Sequence, residues 1–396
     1  MDFLNDTKLC TGCGACANIC PHDAIVMKEN EKGFLKPVID VAKCKHCGLC
    51  EKICPVINFK SENFETPKAF AFINQKENER MISSSGGVFP VFADYILKQG
   101  GIVFGAVYDS EMKVCHTSAD NSNQIKKVQG SKYVQSDTKY TYRETKSALK
   151  SGRYVLYTGT PCQIAGLKSY LRHDYENLLT IDLICHGVPS RKVFEMYKKE
   201  LLAENKDSGK ILEINMRDKN YGWGYKSTET VKTTNSTYHT SADNNVYHNV
   251  FLSNLSINDS CLGCKFNKIP RTGDITMGDF WGIEDFDGIL NDNKGVSVVL
   301  LNSSKGKEYF ERINSLQSVF AKELPLDFVI KYNTNLVASS KPHRKREKFF
   351  KDVIKGKKTL RALKKKYLTP KKRILKRLFK TIGELFKKTV KKVLSV

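Results

Sequence analysis

The sequence predicts an α+β or α/β protein in three parts: a small cysteine-rich unit over residues 1–58, a mixed-sheet body over 68–335 and a helical basic tail over 341–396. Three observations carry that expectation. Eight cysteines fall in two matching runs before residue 55; apolar runs alternate with amphipathic stretches from Ala69 to about Leu202; and residues 341–396 hold 23 Lys or Arg against Glu347, Asp352 and Glu384. Alternation of strand-like and helix-like segments argues for a sheet with at least some parallel pairing.

The cysteine runs are Cys10, Cys13, Cys16, Cys20 followed by Pro21, and Cys44, Cys47, Cys50, Cys54 followed by Pro55, at an offset of 34. This C-x-x-C-x-x-C-x-x-x-C-P spacing is the one by which bacterial ferredoxins hold a pair of 4Fe–4S cubanes. Three thiolates must reach one cluster from a tight loop, and Gly12, Gly14 and Gly48 relieve the backbone crowding there. The fourth cysteine of each run reaches the other cluster. The expected ligand sets are Cys10, Cys13, Cys16 with Cys54, and Cys44, Cys47, Cys50 with Cys20. Zinc modules instead pair two short C-x-x-C hooks, and disulfides are disfavoured in a chain with no secretory signal.

Met1-Asp2-Phe3-Leu4-Asn5-Asp6 has no basic start and no apolar stretch, so no signal peptide is expected. No run approaches the ~20 apolar residues that span a bilayer. A cytoplasmic protein is therefore expected. The net charge of +23 divides into +20 over residues 341–396 and +3 over the first 340. An almost neutral body carries a strongly cationic tail, so charge says little about the chemistry of the body.

Lys60–Pro67 reads as a polar linker. Ala69–Ile73, Gly101–Tyr108, Tyr154–Tyr157 and Leu178–Ile184 read as strands, and Val88–Lys98 and Gln163–Leu171 as helices. Ser190 is expected to cap a helix running to about Leu202. Residues 211–300 look richer in strand. The body divides near residue 150, into 68–150 and 151–335.

Five cysteines lie in the body. Cys162 follows Gly159-Thr160-Pro161 where a strand turns into a helix, and Cys185 ends the next apolar strand. If those strands are parallel neighbours, both sulfurs leave the carboxyl edge where such sheets place their ligands. Cys261-Leu262-Gly263-Cys264 adds a hook, which makes four ligands. Another cubane, a zinc ion, or a redox disulfide between Cys261 and Cys264 all answer to that pattern. Cys115, on a strand, reads as packing.

No G-x-G-x-x-G follows a strand, and there is no Walker lysine motif. Two other segments offer hydroxyls and free N–H groups to an anion: Ser83-Ser84-Ser85-Gly86-Gly87, which opens a helix, and Gly130-Ser131-Lys132-Tyr133-Val134-Gln135-Ser136. A plain helix cap and a plain turn explain them equally well.

From about Ala69 to Pro325 the body resembles the coenzyme F420 hydrogenase/dehydrogenase beta-subunit family. The resemblance rests on Ser84–Phe89, Gly130–Ser136, Gly159-Thr160-Pro161-Cys162-Gln163, Asp182–Ser190 and Asp274–Gly282, in that order. It implies a ferredoxin-like two-cluster domain ahead of a mixed-sheet flavoprotein body. It implies that Cys162, Cys185, Cys261 and Cys264 hold a third 4Fe–4S cluster. It also places Ser84, Ser85, Gly86, Gly87, Gly130, Ser131, Lys132, Tyr133, Gln135, Ser136 and Thr160 near FAD. The implied activity is a flavin-dependent iron–sulfur oxidoreductase, fed by a redox partner protein or reduced ferredoxin. It would deliver electrons to a two-electron small-molecule acceptor, deazaflavin F420 or another conjugated compound. His186, Asp182 and Lys132 are the candidates for moving protons there, against the ordinary reading of all three as structural. The alternative is a non-enzymatic electron carrier that docks on a partner enzyme.

In the tail, Thr369-Pro370 reads as a helix start. From Ile374 to Val393 the apolar residues fall in an arc of about 160° with Lys and Arg opposite. Such a helix suits an anionic membrane surface, so peripheral attachment to the inner face of the cell membrane is expected. Nucleic acid is disfavoured as the tail's partner, since tracking phosphates needs no clean apolar face, and docking on a partner protein is the other alternative. Residues 346–368 are expected to add a weaker amphipathic helix, broken at Gly356.

Overall fold

The computed structural model describes residues 8–369. The N-terminal unit consists of helix Ala15–Ile19, a hairpin of β1 (Ile25–Glu29) and β2 (Leu35–Ile39), and helices Leu49–Lys52 and Pro55–Asn58. Gly14 and Gly48 stand at the N-caps of the first two cysteine helices with φ of 79° and 72°, a conformation that a side chain resists.

The body strands follow in chain order: β3 (Lys68–Asn74), β4 (Ile102–Tyr108), β5 (Val114–Ala119), β6 (Val155–Gly159), β7 (Leu178–Leu183), β8 (Ile211–Asp218), β9 (Thr228–Thr233), β10 (Thr237–Ser241), β11 (Ile275–Asp279), β12 (Ser297–Leu301) and β13 (Val319–Leu324). Eight of them form one mixed sheet in the order β13-β3-β12-β11-β7-β6-β4-β5. Its centre is parallel: β4 pairs with β6, β6 with β7, and β7 with β11. Antiparallel strands finish both sides. Every residue of β6 and β12 is buried, as expected for strands covered on both faces. Strands β8, β9 and β10 make a separate antiparallel sheet, so residues 211–300 are as strand-rich as their sequence suggests.

Helices Val88–Lys98 and Ser304–Asn314 pack on one face of the large sheet around Phe72, Phe92, Leu179 and Phe310. Helices Thr141–Lys150 and Pro161–Leu171 pack on the other, around Phe104, Tyr142, Tyr157 and Ile164. The second of these starts two residues before the expected Gln163. Thr160 and Gln163 close a capping box, and Pro161 suits the first turn. Ser190 caps helix Arg191–Glu204, its Oγ accepting from Val193 N at 3.2 Å.

Two stretches differ from expectation. Residues 60–67, read as a linker, are strapped to the body: Ser61 Oγ and Asn63 Nδ2 donate to Arg271 O, and Phe64 N donates to Asn302 O. Part of the expected basic tail is body. Helices Arg346–Lys355 and Leu360–Leu368, separated by Gly356 at φ 64°, bury Phe349, Phe350, Val353, Leu360, Leu363 and Tyr367 against Phe194, Tyr197 and Tyr247. Their apolar faces meet partner helices, and only their cationic faces remain outside. Phe34 of the β1–β2 hairpin completes this cluster, edge-on to Phe350 at 5.8 Å. The amphipathic segment expected beyond Thr369 lies outside the described residues. Among the described residues no helix is long and apolar enough to cross a membrane.

Candidate redox site

The N-terminal cysteines come together across the two runs. Burial pushes the Cys16 thiol up, and its neighbours Cys10, Cys54 and Cys50 push it further. Burial likewise raises Cys54, beside Cys10, and Cys50, beside Cys47 and Cys20. A cavity is lined by Cys20, Cys44, Cys47 and Cys50, with His22 and Lys45 among its walls. The cavity thus takes Cys20 from the first run among three cysteines of the second, and Cys54 of the second run stands near Cys10 and Cys16 of the first.

The body cysteines converge on the carboxyl edge of the parallel strands. Cys162 lies in the first turn of helix Pro161–Leu171, Cys185 follows β7, Cys261 lies within the turn Asp259–Gly263 and Cys264 caps its end. Burial, then the nearby Cys264, pushes Cys162 up to about 12. Cys185 is raised by burial and then by Cys261, Cys162 and Cys264. Backbone N–H groups point at the sulfurs: Val188 N to Cys261 Sγ and Phe266 N to Cys264 Sγ, each at 3.4 Å. Such bonds steady a thiolate and tune the potential of a cluster it holds.

The N-terminal unit sits directly on this centre. Cys162 is among the thiols that raise Cys13 after burial has done so. Cys13 O is gripped by Tyr142 Oη at 2.7 Å and Thr138 Oγ1 at 3.0 Å. A Cβ on Gly166 would stand 3.0 Å from Cys13 Sγ, so glycine there permits the close approach. Gln135, expected near a cofactor, works as a clamp: its Oε1 accepts from Leu35 N at 2.7 Å and its Nε2 donates to Thr11 O at 3.2 Å.

Of the three proton-transfer candidates, Asp182 is fully buried and its carboxylate is spent on structure. It accepts from Arg271 Nη2 (2.8 Å), Thr272 Oγ1 (2.8 Å), Gly273 N (2.8 Å) and Thr276 Oγ1 (2.7 Å). Arg271 also donates to Leu183 O and Phe266 O. That ties the end of β7, which precedes Cys185, to the segment after Cys264. Lys132 Nζ caps its own preceding turn, donating to Val128 O, Gln129 O and Gly130 O. Burial lowers it to about 7. His186 pairs with Asn254 Oδ1 at 2.6 Å and sets its ring against Phe251.

The two glycine segments adjoin: Ser131 N donates to Ser84 Oγ at 2.8 Å. Ser85 Oγ donates to Val296 O, and Gly86 N to Ser297 Oγ. Ser136 bonds the buried His116, and Thr160 belongs to the capping box. The Tyr133 ring lies 5.4 Å from that of Phe251, which in turn meets His186 at 5.2 Å.

Residues without a sequence signal complete the site. Arg217 Nη1 donates to Asp279 Oδ2 at 2.9 Å and to Tyr133 Oη at 3.1 Å. A register shift between Asn215 and Asp218 re-aims β8 at this point, which no periodicity announces. Asp279 stands inside the Asp274–Gly282 motif and was legible there; Arg271 and Tyr142 were not.

Residues 152–325 match the family described as the C-terminal part of the coenzyme F420 hydrogenase/dehydrogenase beta subunit. Residues 9–58 match the 4Fe-4S dicluster domain. No curated protein matches the chain. Among solved structures it is similar to a chain of the F420-reducing NiFe hydrogenase complex from Methanosarcina barkeri in a xenon derivative, at 18% identity and a TM-score of 0.47, over 70% of this chain and 92% of that one. Side by side, the two matches place a 4Fe-4S dicluster domain over residues 9–58 ahead of a region, residues 152–325, that matches the C-terminal part of the coenzyme F420 hydrogenase/dehydrogenase beta subunit.

Proposed function

We propose that the chain is an iron–sulfur flavoprotein oxidoreductase that takes single electrons at its dicluster unit and passes them in pairs to a conjugated acceptor, deazaflavin F420 or another. The observation that carries this reading is the close approach of Cys13 to Gly166, on the same helix as Cys162, which brings the dicluster unit against the helix that carries a body cysteine. When bound, 4Fe–4S clusters carry electrons singly and a flavin gathers two of them for a hydride-type transfer.

The residues suit those groups. The body and the dicluster unit each present cysteine thiols in sets of four, the donor set that a 4Fe–4S cubane takes. For FAD, helix Val88–Lys98 opens at Gly87 (φ 85°) without a side-chain cap, so its first N–H groups are available to a phosphate. Gly130, at φ 85°, leaves open space beside it. Ser84 and Ser131 hold the two segments together. Tyr133 and Phe251 stand in a row that ends on His186, beside Cys185. His186 lies next to Cys185 with its ring nitrogens on Asn254 Oδ1 and Ser340 Oγ, while Lys132 keeps its turn in shape.

Anaerobic purification tests the relay. About twelve iron atoms per chain are expected, with a bound flavin that bleaches on addition of reduced ferredoxin. About eight iron atoms and no flavin would reduce the chain to an electron carrier.

We further propose that residues 369–396 attach the protein to anionic membranes, each basic residue contributing roughly 1 kcal/mol. Phosphatidylglycerol vesicles should co-sediment the full chain and leave a chain ending at Leu368 in solution. Equal binding by both would remove the attachment.

A further inference from the structure

The motif around Asp279 and the bulge at Arg217 frame a second feature beside the glycine segments. Arg217 and Trp223 are each only 6% exposed. The Arg217 Nε and Nη2 groups and the Trp223 indole Nε1 are buried without a protein partner. Proteins seldom leave buried donors of this kind unmatched, and the guanidinium is already fixed in place through Nη1. Arg217 lies over the Trp281 ring at 5.9 Å, and Trp223 runs parallel to Trp281 within 10°. Tyr225 tilts onto the same ring at 5.4 Å and is 88% exposed. Gly222 and Gly224, at φ 122° and 69°, turn the loop that carries Trp223 and Tyr225. Lys219 Nζ donates to Ser85 O at 2.9 Å and to Arg80 O and Lys294 O, fastening this loop to the first glycine segment.

We propose that Arg217, Trp223, Trp281 and Tyr225 bind the acceptor: a planar conjugated ring with hydrogen-bond-accepting atoms on its edge. The assignment rests on the relay proposed above. Aromatic faces take the plane of such a ring, and the unmatched donors take its edge oxygens or nitrogens. A resident flavin has the same chemistry. The exposed Tyr225 favours the exchanging ligand, because an acceptor must enter and leave through solvent, whereas Gly86 and Gly87 are buried.

Trp223 and Trp281 are the chain's only tryptophans, so tryptophan fluorescence, excited beyond the tyrosine absorption, reports this platform. The purified full chain, with its iron and flavin counted, is titrated anaerobically with 5-deazariboflavin. Saturable quenching is expected, and Arg217→Gln should weaken it about tenfold or more. Iron and flavin content should hold. Tyr225→Ala, whose exposed side chain supports no core, should weaken it about threefold. Quenching that is absent, or unchanged in both variants, overturns the assignment. So does loss of flavin from Arg217→Gln, which would give the donors to the flavin. The titration reads binding without electron flow, so a chain that fails to reduce any acceptor would sink the relay and leave this result readable.

Discussion

Replacing Arg271 with Ala is expected to cost about 3–5 kcal/mol, because it leaves Asp182 as an uncompensated buried charge. On the proposed relay, iron should fall from about twelve to about eight atoms per chain as the body cysteines lose the third cluster assigned to them. Both members of the pair are wholly buried. Arg271 bonds Asp182, Leu183 O, Phe266 O and Thr276 Oγ1, so one guanidinium spans the strand before Cys185 and the turn after Cys264. The dicluster cysteines make no use of it. Iron content, electron paramagnetic resonance of the reduced protein and thermal melting together read the effect. Arg271→Lys should recover part of the stability but not the planar fork. Full iron and an unchanged melting point in the Ala variant would show that the four thiols find their places without this tie.

Gly166→Val should act at the other side of the same centre. The first added carbon would already stand 3.0 Å from Cys13 Sγ and 3.1 Å from Tyr142 Oη, and the two further methyl groups have nowhere to go. Overpacking of this kind costs roughly 1–3 kcal/mol. The relief available is to move the Cys13 loop off helix Pro161–Leu171, since the helix is pinned against β6 and β7. The clusters of the proposed relay should still assemble, so iron stays at wild-type level. Bleaching of flavin by reduced ferredoxin should slow sharply. Stopped-flow measurement of that bleaching decides it: a wild-type rate would mean that electrons reach the body by a route that avoids Cys13.

The contrast between these two sites shows what each level of description contains. Ligands to a cubane must come from a short loop at a fixed spacing, so Cys10 to Cys20 and Cys44 to Cys54 declare themselves in a linear reading. So do Ser190 as a cap and the paired strands β6 and β7, because local hydrogen bonds and buried apolar runs leave local patterns. Cys162 and Cys185 were legible for the same reason, each closing a strand whose neighbour is parallel.

What the tertiary structure decided involves partners far apart in the chain. Asp182 reads like a proton carrier until Arg271, 89 residues away, is placed on it. Gln135 reads like a cofactor ligand until Leu35, 100 residues earlier, takes its Oε1. Residues 346–368 look like a surface helix until Phe34, Phe194 and Tyr247 cover their apolar face. A polar or amphipathic residue has several acceptable partners, and its sequence neighbours do not rank them. Only the packed fold, which must satisfy every buried donor and fill every apolar face at once, selects among them.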